Sequence, residues 1–189
     1  RRMYRETRTQ RKSIGAALLG KEFARFLSSP NYMLNCGLGV LLLPISGIVL
    51  LIKGRDLMPM LAMAFDNQPG SAAVLLCTAV CVVASMNDMA APSISLEGKN
   101  LWLLQSLPVK PWQALRAKLS VQLLLTSIPA LFASACAAIA GGLSAIETLL
   151  TLLVPQAVIL MMALLNLTVG LKMPNLTWTS EIVPIKQSA

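Results

Sequence analysis

Residues 91–119 read APSISLEGKNLWLLQSLPVKPWQALRAKL, from Ala91 to Leu119. The stretch has polar edges, yet Leu101, Trp102, Leu103, Leu104 and Leu107 fall within seven positions. Water penalises apolar surface presented this way, so a plain solvated loop is excluded and the patch is expected against a membrane or a partner protein. On both sides the island runs into long apolar segments. SAAVLLCTAVCVVAS (Ser71–Ser85) precedes it, and an uncharged run from Leu119 to Gly141 follows it. These flanks decide the fold class.

Over half of the residues are hydrophobic (56%) and only 13% are charged, unlike an ordinary soluble domain. Four windows are apolar for about 17–25 residues, enough to cross a hydrocarbon core as helix. They lie near Tyr32–Ile52, Ser71–Met89, Ala117–Gly141 and Ala145–Leu171. None has a charge in its middle, where one would cost about 2.5–3.5 kcal/mol. A soluble helical bundle would place a charge on one face of each helix every turn or two, and these segments do not. The expectation is an all-α transmembrane protein: a four-span helical bundle (residues 32–172) after a basic N-terminal segment (1–31), with residues 173–189 opening a further loop.

The sixteen Lys and Arg residues oppose eight acidic ones. Eight lie in residues 1–29, four in the island (Lys99, Lys110, Arg116, Lys118) and two in the tail (Lys172, Lys186). Only Lys53 and Arg55 fall between the first two spans, so placing both termini in the cytoplasm gathers fourteen basic residues on that side, as the positive-inside rule requires. Nucleic-acid binding is a poor use of this excess, because no aromatic residues interleave with it to make a stacking surface.

From Ala16 the pattern becomes amphipathic. Ala16, Leu19, Phe23, Phe26 and Leu27 fall within about 100° on a helical wheel, with Lys21, Arg25 and Ser28 opposite. This predicts a short interfacial helix, its basic face toward lipid headgroups, ended by Ser28-Ser29-Pro30. Pro44, Pro129 and Pro155 fall inside spans and predict kinks. Ala133, Ala137 and Gly141, with Ala130, Ser134, Ala138 and Gly142, form small-residue ridges that let span three approach its neighbours closely. The few intramembrane polar residues, among them Asn35, Gln122, Thr126 and Gln156, are read as interhelical hydrogen-bonding groups in preference to a pathway lining.

Little chemistry is on offer. The chain has no histidine, which removes Ser/His and Cys/His nucleophile pairs. Gly98-Lys99-Asn100 lacks the spacing of a phosphate loop. Cys77 and Cys81 share a helix face without further ligands nearby, and read as packing residues. Asp88 is within reach of Lys118 at the inner membrane edge, although a solvated interfacial carboxylate is the favoured reading. No catalytic, metal or cofactor site is expected.

Glu97-Gly98-Lys99, Leu103-Leu104, Leu107-Pro108 and Lys118, taken together, resemble the loop between the second and third spans in permeases of type-two ABC exporters. SISLEGKNLWLLQSLPV is similar to a subgroup of large bacterial permeases built from two such halves. The tail LKMPNLTWTSEIVPIKQSA resembles the next cytoplasmic loop of that subgroup, and GKEFARFLSSPNYMLN the elbow helix that opens a half. The resemblance implies a cytoplasmic coupling helix within 91–116, with Glu97, Gly98, Leu101, Trp102, Leu104, Leu107 and Pro108 facing a separate ABC ATPase subunit that binds the ATP. It implies an elbow built on Leu19, Phe23, Phe26 and Leu27, a second permease half or homodimer partner, and the bacterial cytoplasmic membrane. A half of this family has six spans, so the chain reads as an internal piece of a longer protein. The competing readings are a secondary transporter or channel segment without an ATPase, and a membrane-embedded enzyme or scaffold.

Overall fold

The computed structural model describes residues 13–65, 68–98, 102, 106–176, 178, 180 and 182–187. Helices α1 (Ile14–Ser28), α2 (Pro30–Cys36), α3 (Leu38–Ala64), α4 (Ser71–Ser85), α5 (Ala90–Ser95), α6 (Pro111–Gly141), α7 (Ala145–Lys172) and α8 (Ile182–Gln187) follow in order. Among the described residues there is no strand. Four stretches are long and apolar enough to cross a bilayer: Leu38–Leu61, Ser71–Ser95, Pro111–Gly141 and Ala145–Lys172. The all-α four-span bundle expected from composition is therefore what the chain forms.

Its outer surface supports the membrane reading. Ile48, Val49, Ile128, Leu149, Leu153, Leu160 and Leu164 are all exposed. In water such a surface would drive aggregation; in lipid it is the ordinary outside of a bundle whose backbone bonds are satisfied within each helix. The interior is built from Leu43, Val80, Ala84, Ala130, Ala133 and Ile159. Small residues let α3 and α6 come close, as expected: a Cβ on Gly47 would lie 3.2 Å from the Ala133 Cα, and one on Gly54 2.9 Å from the Ala140 Cβ. The prolines are absorbed within α3, α6 and α7, which run on through Pro44, Pro129 and Pro155.

Three spans depart from the expected boundaries. The first begins at Leu38, not Tyr32. Ser29 ends α1 and caps α2 through its Oγ, which accepts from the Tyr32 N–H at 3.4 Å. Pro30 starts α2, and the helix stops at Gly37, where the Phe26 ring approaches so closely that a Cβ would lie 2.5 Å from its Cζ. The second span is discontinuous. Its helix ends at Ser85 and resumes at Ala90. Backbone groups freed in a bilayer need partners, and they come from distant parts of the chain. Gln122 of α6 accepts from the Ala90 N–H at 2.8 Å and donates to the Asn87 carbonyl at 3.1 Å. The Tyr32 hydroxyl donates to the Met89 carbonyl at 2.6 Å, and the Asp88 N–H donates to the Cys36 carbonyl at 3.1 Å. The junction between α2 and α3 and the break in span two thus dock on each other, and Gln122 is the interhelical bonding group anticipated for it.

The third span also starts earlier than Ala117. Pro111 occupies the first helical turn, where a missing N–H costs nothing, and the Lys110 N–H is capped by Gln113 Oε1 at 3.1 Å. The last part of the 91–116 segment is therefore helix α6. The tail after span four folds back along the same end of the bundle. Ile185 of α8 is fully buried with Phe26, Tyr32, Cys36 and Met89.

Candidate functional site

The island is anchored by a charged cluster at the α1 end of the bundle. Lys118 on α6 is almost completely buried, and its ammonium uses all three protons. It lies 3.0 Å from Glu97 Oε1 and 3.2 Å from Glu22 Oε1, and donates to the Ser93 carbonyl at 2.9 Å. Lys21 Nζ also reaches Glu97 Oε1 at 3.2 Å. Arg25 stands 3.7 Å from Glu22 Oε2 and 3.8 Å from Glu97 Oε1. Three cations thus face two carboxylates drawn from α1, the turn after α5, and α6.

Burial pushes the Glu97 carboxyl up, while Lys118 and then Lys21 push it down, and the balance leaves it below its ordinary value. The carboxylate stays ionised because its partners are in place. Removing one member of such a buried set costs about 3–5 kcal/mol, since a charge is left without compensation. The cluster is consequently a brace that joins α1, the island and span three; among the described residues nothing in it is free for acid–base work.

The island residues divide into two groups. Glu97 is 4% exposed with its carboxylate turned inward. Gly98 is buried with φ +41°, a conformation that favours glycine, and the Trp178 indole lies over it, 3.0–3.2 Å from where a Cβ would be. That indole donates from Nε1 to the Ser95 carbonyl at 2.6 Å, and the Asn175 N–H donates to Ser95 Oγ at 3.1 Å. The tail therefore straps the start of the island. Trp102 and Leu107 are exposed, at 65% and 47%, and Pro108 is exposed beside them. Leu101 and Leu104, together with Lys99, lie outside the described residues.

Helix α1 forms over the segment expected to be interfacial, but its buried face is rotated from the expected stripe. Its buried residues are Leu18, Glu22 and Phe26. Leu19 and Phe23 are half-buried at the edge, and Leu27 is exposed at 62%. Lys21 and Arg25, expected to face headgroups, turn toward Glu22 and Glu97. The wheel treated every charge as a surface residue, whereas a carboxylate paired with Lys118 can be buried. The contact weighed between Asp88 and Lys118 is also absent: Lys118 is fully engaged by Glu22, Glu97 and Ser93, and Asp88 Oδ1 is buried without a hydrogen-bond partner.

Sequence reasoning missed Glu22 and Trp178 as structural partners. A signal existed for Glu22, the only carboxylate between Glu6 and Asp56 and three residues before Arg25. None existed for Trp178, whose contact spans more than 80 residues. No protein-family model, curated protein or solved structure matches this chain.

Proposed function

We propose that this chain is a membrane-spanning permease unit of an ATP-driven exporter, in which the island receives a separate ATPase subunit. The protein would sit in a bacterial cytoplasmic membrane with both ends inside, beside a second permease half or another copy, and ATP would bind on the partner. The observation that carries this reading is the contrast within the island. Trp102 and Leu107 present apolar surface away from the bundle, while Glu97, five residues before Trp102, is braced to α1 and span three. An apolar surface held this way suits a groove on a partner. Force applied there would pass through Lys118 to the third span and through Lys21 to α1, rocking them together as packed elements.

The test uses the full-length protein purified from its native host. Trp102→Asp/Leu107→Asp should insert in the membrane normally, because neither residue lies in a span, yet lose the ATP-hydrolysing subunit. An unpaired charge is poorly accepted in a buried interface. Retained ATPase association by the double variant would refute the assignment. Ion-coupled flux that survives ATP depletion would favour the secondary-transporter reading.

A further inference from the structure

We propose that the cleft between α1 and α6 at the basic end of the bundle binds the phosphate of an anionic phospholipid from the adjoining leaflet. The cleft is about 290 Å³ and is lined by Gly15 and Leu19 of α1 and by Gln113, Arg116, Ala117 and Ser120 of α6. The α6 residues recur at spacings of three, four and seven, so they share one helix face. Their polar groups are donors with hydrogens to spare. Gln113 has committed its carbonyl oxygen to the Lys110 N–H, which leaves its amide NH2 as the available group. Among the described residues, neither the Arg116 guanidinium nor the Ser120 hydroxyl has a hydrogen-bond or ion-pair partner. Among the described residues no carboxylate lines the cleft, and the α1 and island acids, Glu22 and Glu97, are engaged by Lys118, Lys21 and Arg25. A guanidinium, an amide NH2 and a hydroxyl lining one cleft, with no carboxylate among its lining residues, are suited to phosphate oxygens.

Depth selects a lipid as the source of that phosphate. From Leu119 to Gly141 helix α6 carries no charge, a length of roughly 34 Å at 1.5 Å per residue, which matches a hydrocarbon core of about 30 Å. Arg116 is therefore at headgroup level. Trp112, one turn earlier on the same side and 68% exposed, is the kind of residue that sits at that boundary. Leu19 offers apolar contact for the glycerol and first acyl carbons. A Cβ at Gly15 would meet nothing within 4 Å, so the cleft has open space beside α1 for a headgroup. This inference rests on the four-span fold and is independent of the ATPase reading.

The experiment is native mass spectrometry of the full chain in detergent, titrated with dioleoylphosphatidylglycerol, with dioleoylphosphatidylcholine, or with sn-glycerol 3-phosphate as a headgroup without chains. One phosphatidylglycerol should be retained in preference to phosphatidylcholine, and glycerol phosphate should not compete for it. Arg116→Gln should weaken that binding about tenfold, and Arg116→Lys should restore most of it. Gly15→Leu fills the cleft without changing net charge, and leucine is a better helix former than glycine. It should weaken binding as much as Arg116→Gln with no loss of melting temperature, which separates the cleft from general attraction to the basic N-terminal residues. Equal retention of the two lipids, unchanged binding by Gly15→Leu, or competition by glycerol phosphate would each overturn the proposal.

Discussion

Replacing Lys118 with methionine tests the brace directly. The substitution keeps an unbranched chain in the same space but removes the ammonium that lies 3.0 Å from Glu97, 3.2 Å from Glu22 and 2.9 Å from the Ser93 carbonyl. Two buried carboxylates then share a site whose central cation is gone. Removing one partner of a buried pair costs about 3–5 kcal/mol. Lys21 still reaches Glu97 at 3.2 Å and is partly exposed, so the low end, about 3 kcal/mol, is expected. At about 2–4 °C per kcal/mol for a chain of this size, the melting temperature should fall by about 6–12 °C. The pH dependence should also reverse. In the parent protein the folded Glu97 carboxyl titrates below its ordinary value of 4.5, so its contribution is full above 4.5 and lost as pH falls through the folded value. In Lys118→Met, burial acts on Glu97 without its strongest partner, its pKa rises, and protonation relieves the penalty. Stability of the variant should therefore increase as pH is lowered from 7 to 5. Adding Glu97→Gln should recover much of the loss at pH 7 and flatten this slope. The assay is thermal unfolding of the full chain in detergent between pH 5 and 8, followed by tryptophan fluorescence. A melting temperature within about 2 °C of the parent, or a variant that loses stability on acidification as the parent does, would refute the brace.

Gln122→Leu should leave the Ala90 N–H and Asn87 carbonyl without partners, at about 1–3 kcal/mol for each unsatisfied group. Faster hydrogen exchange at Ala90 would register it, and unchanged exchange would count against the bridge. Gly54→Val should force α3 away from Ala140 and cost about 1–3 kcal/mol by overpacking, while Gly20→Ala, which meets nothing within 4 Å, should be neutral or slightly stabilising in a chemical unfolding titration. Trp178→Ala removes the bond to the Ser95 carbonyl and uncovers Gly98. Limited proteolysis should then cut residues 173–180 sooner, and identical cleavage kinetics would show that the strap is not closed in solution. Single cysteines at Gln68 and Ser106 should react with an impermeant maleimide from opposite sides of the membrane; labelling from one side would reject the four-span topology.

The sequence by itself determined the class of the protein and the number of its spans. Uncharged apolar runs of membrane length leave few folding options, because every backbone polar group inside lipid must be bonded within a helix or a closed barrel. Local composition was enough for that, and for the small-residue approach of α6 to α3, since Ala and Gly at helical spacing permit it whatever the partner. Only the tertiary structure decided where the spans break and which charges go inside. The gap between Ser85 and Ala90 is tolerable because Gln122, Tyr32 and Cys36 supply partners from 32 or more residues away, and no local pattern announces them. Glu22, Glu97 and Lys118 belong to three separate elements, and each alone reads as a surface charge. Their burial becomes affordable only when they meet at about 3 Å, where mutual attraction offsets the desolvation that would expel any one of them.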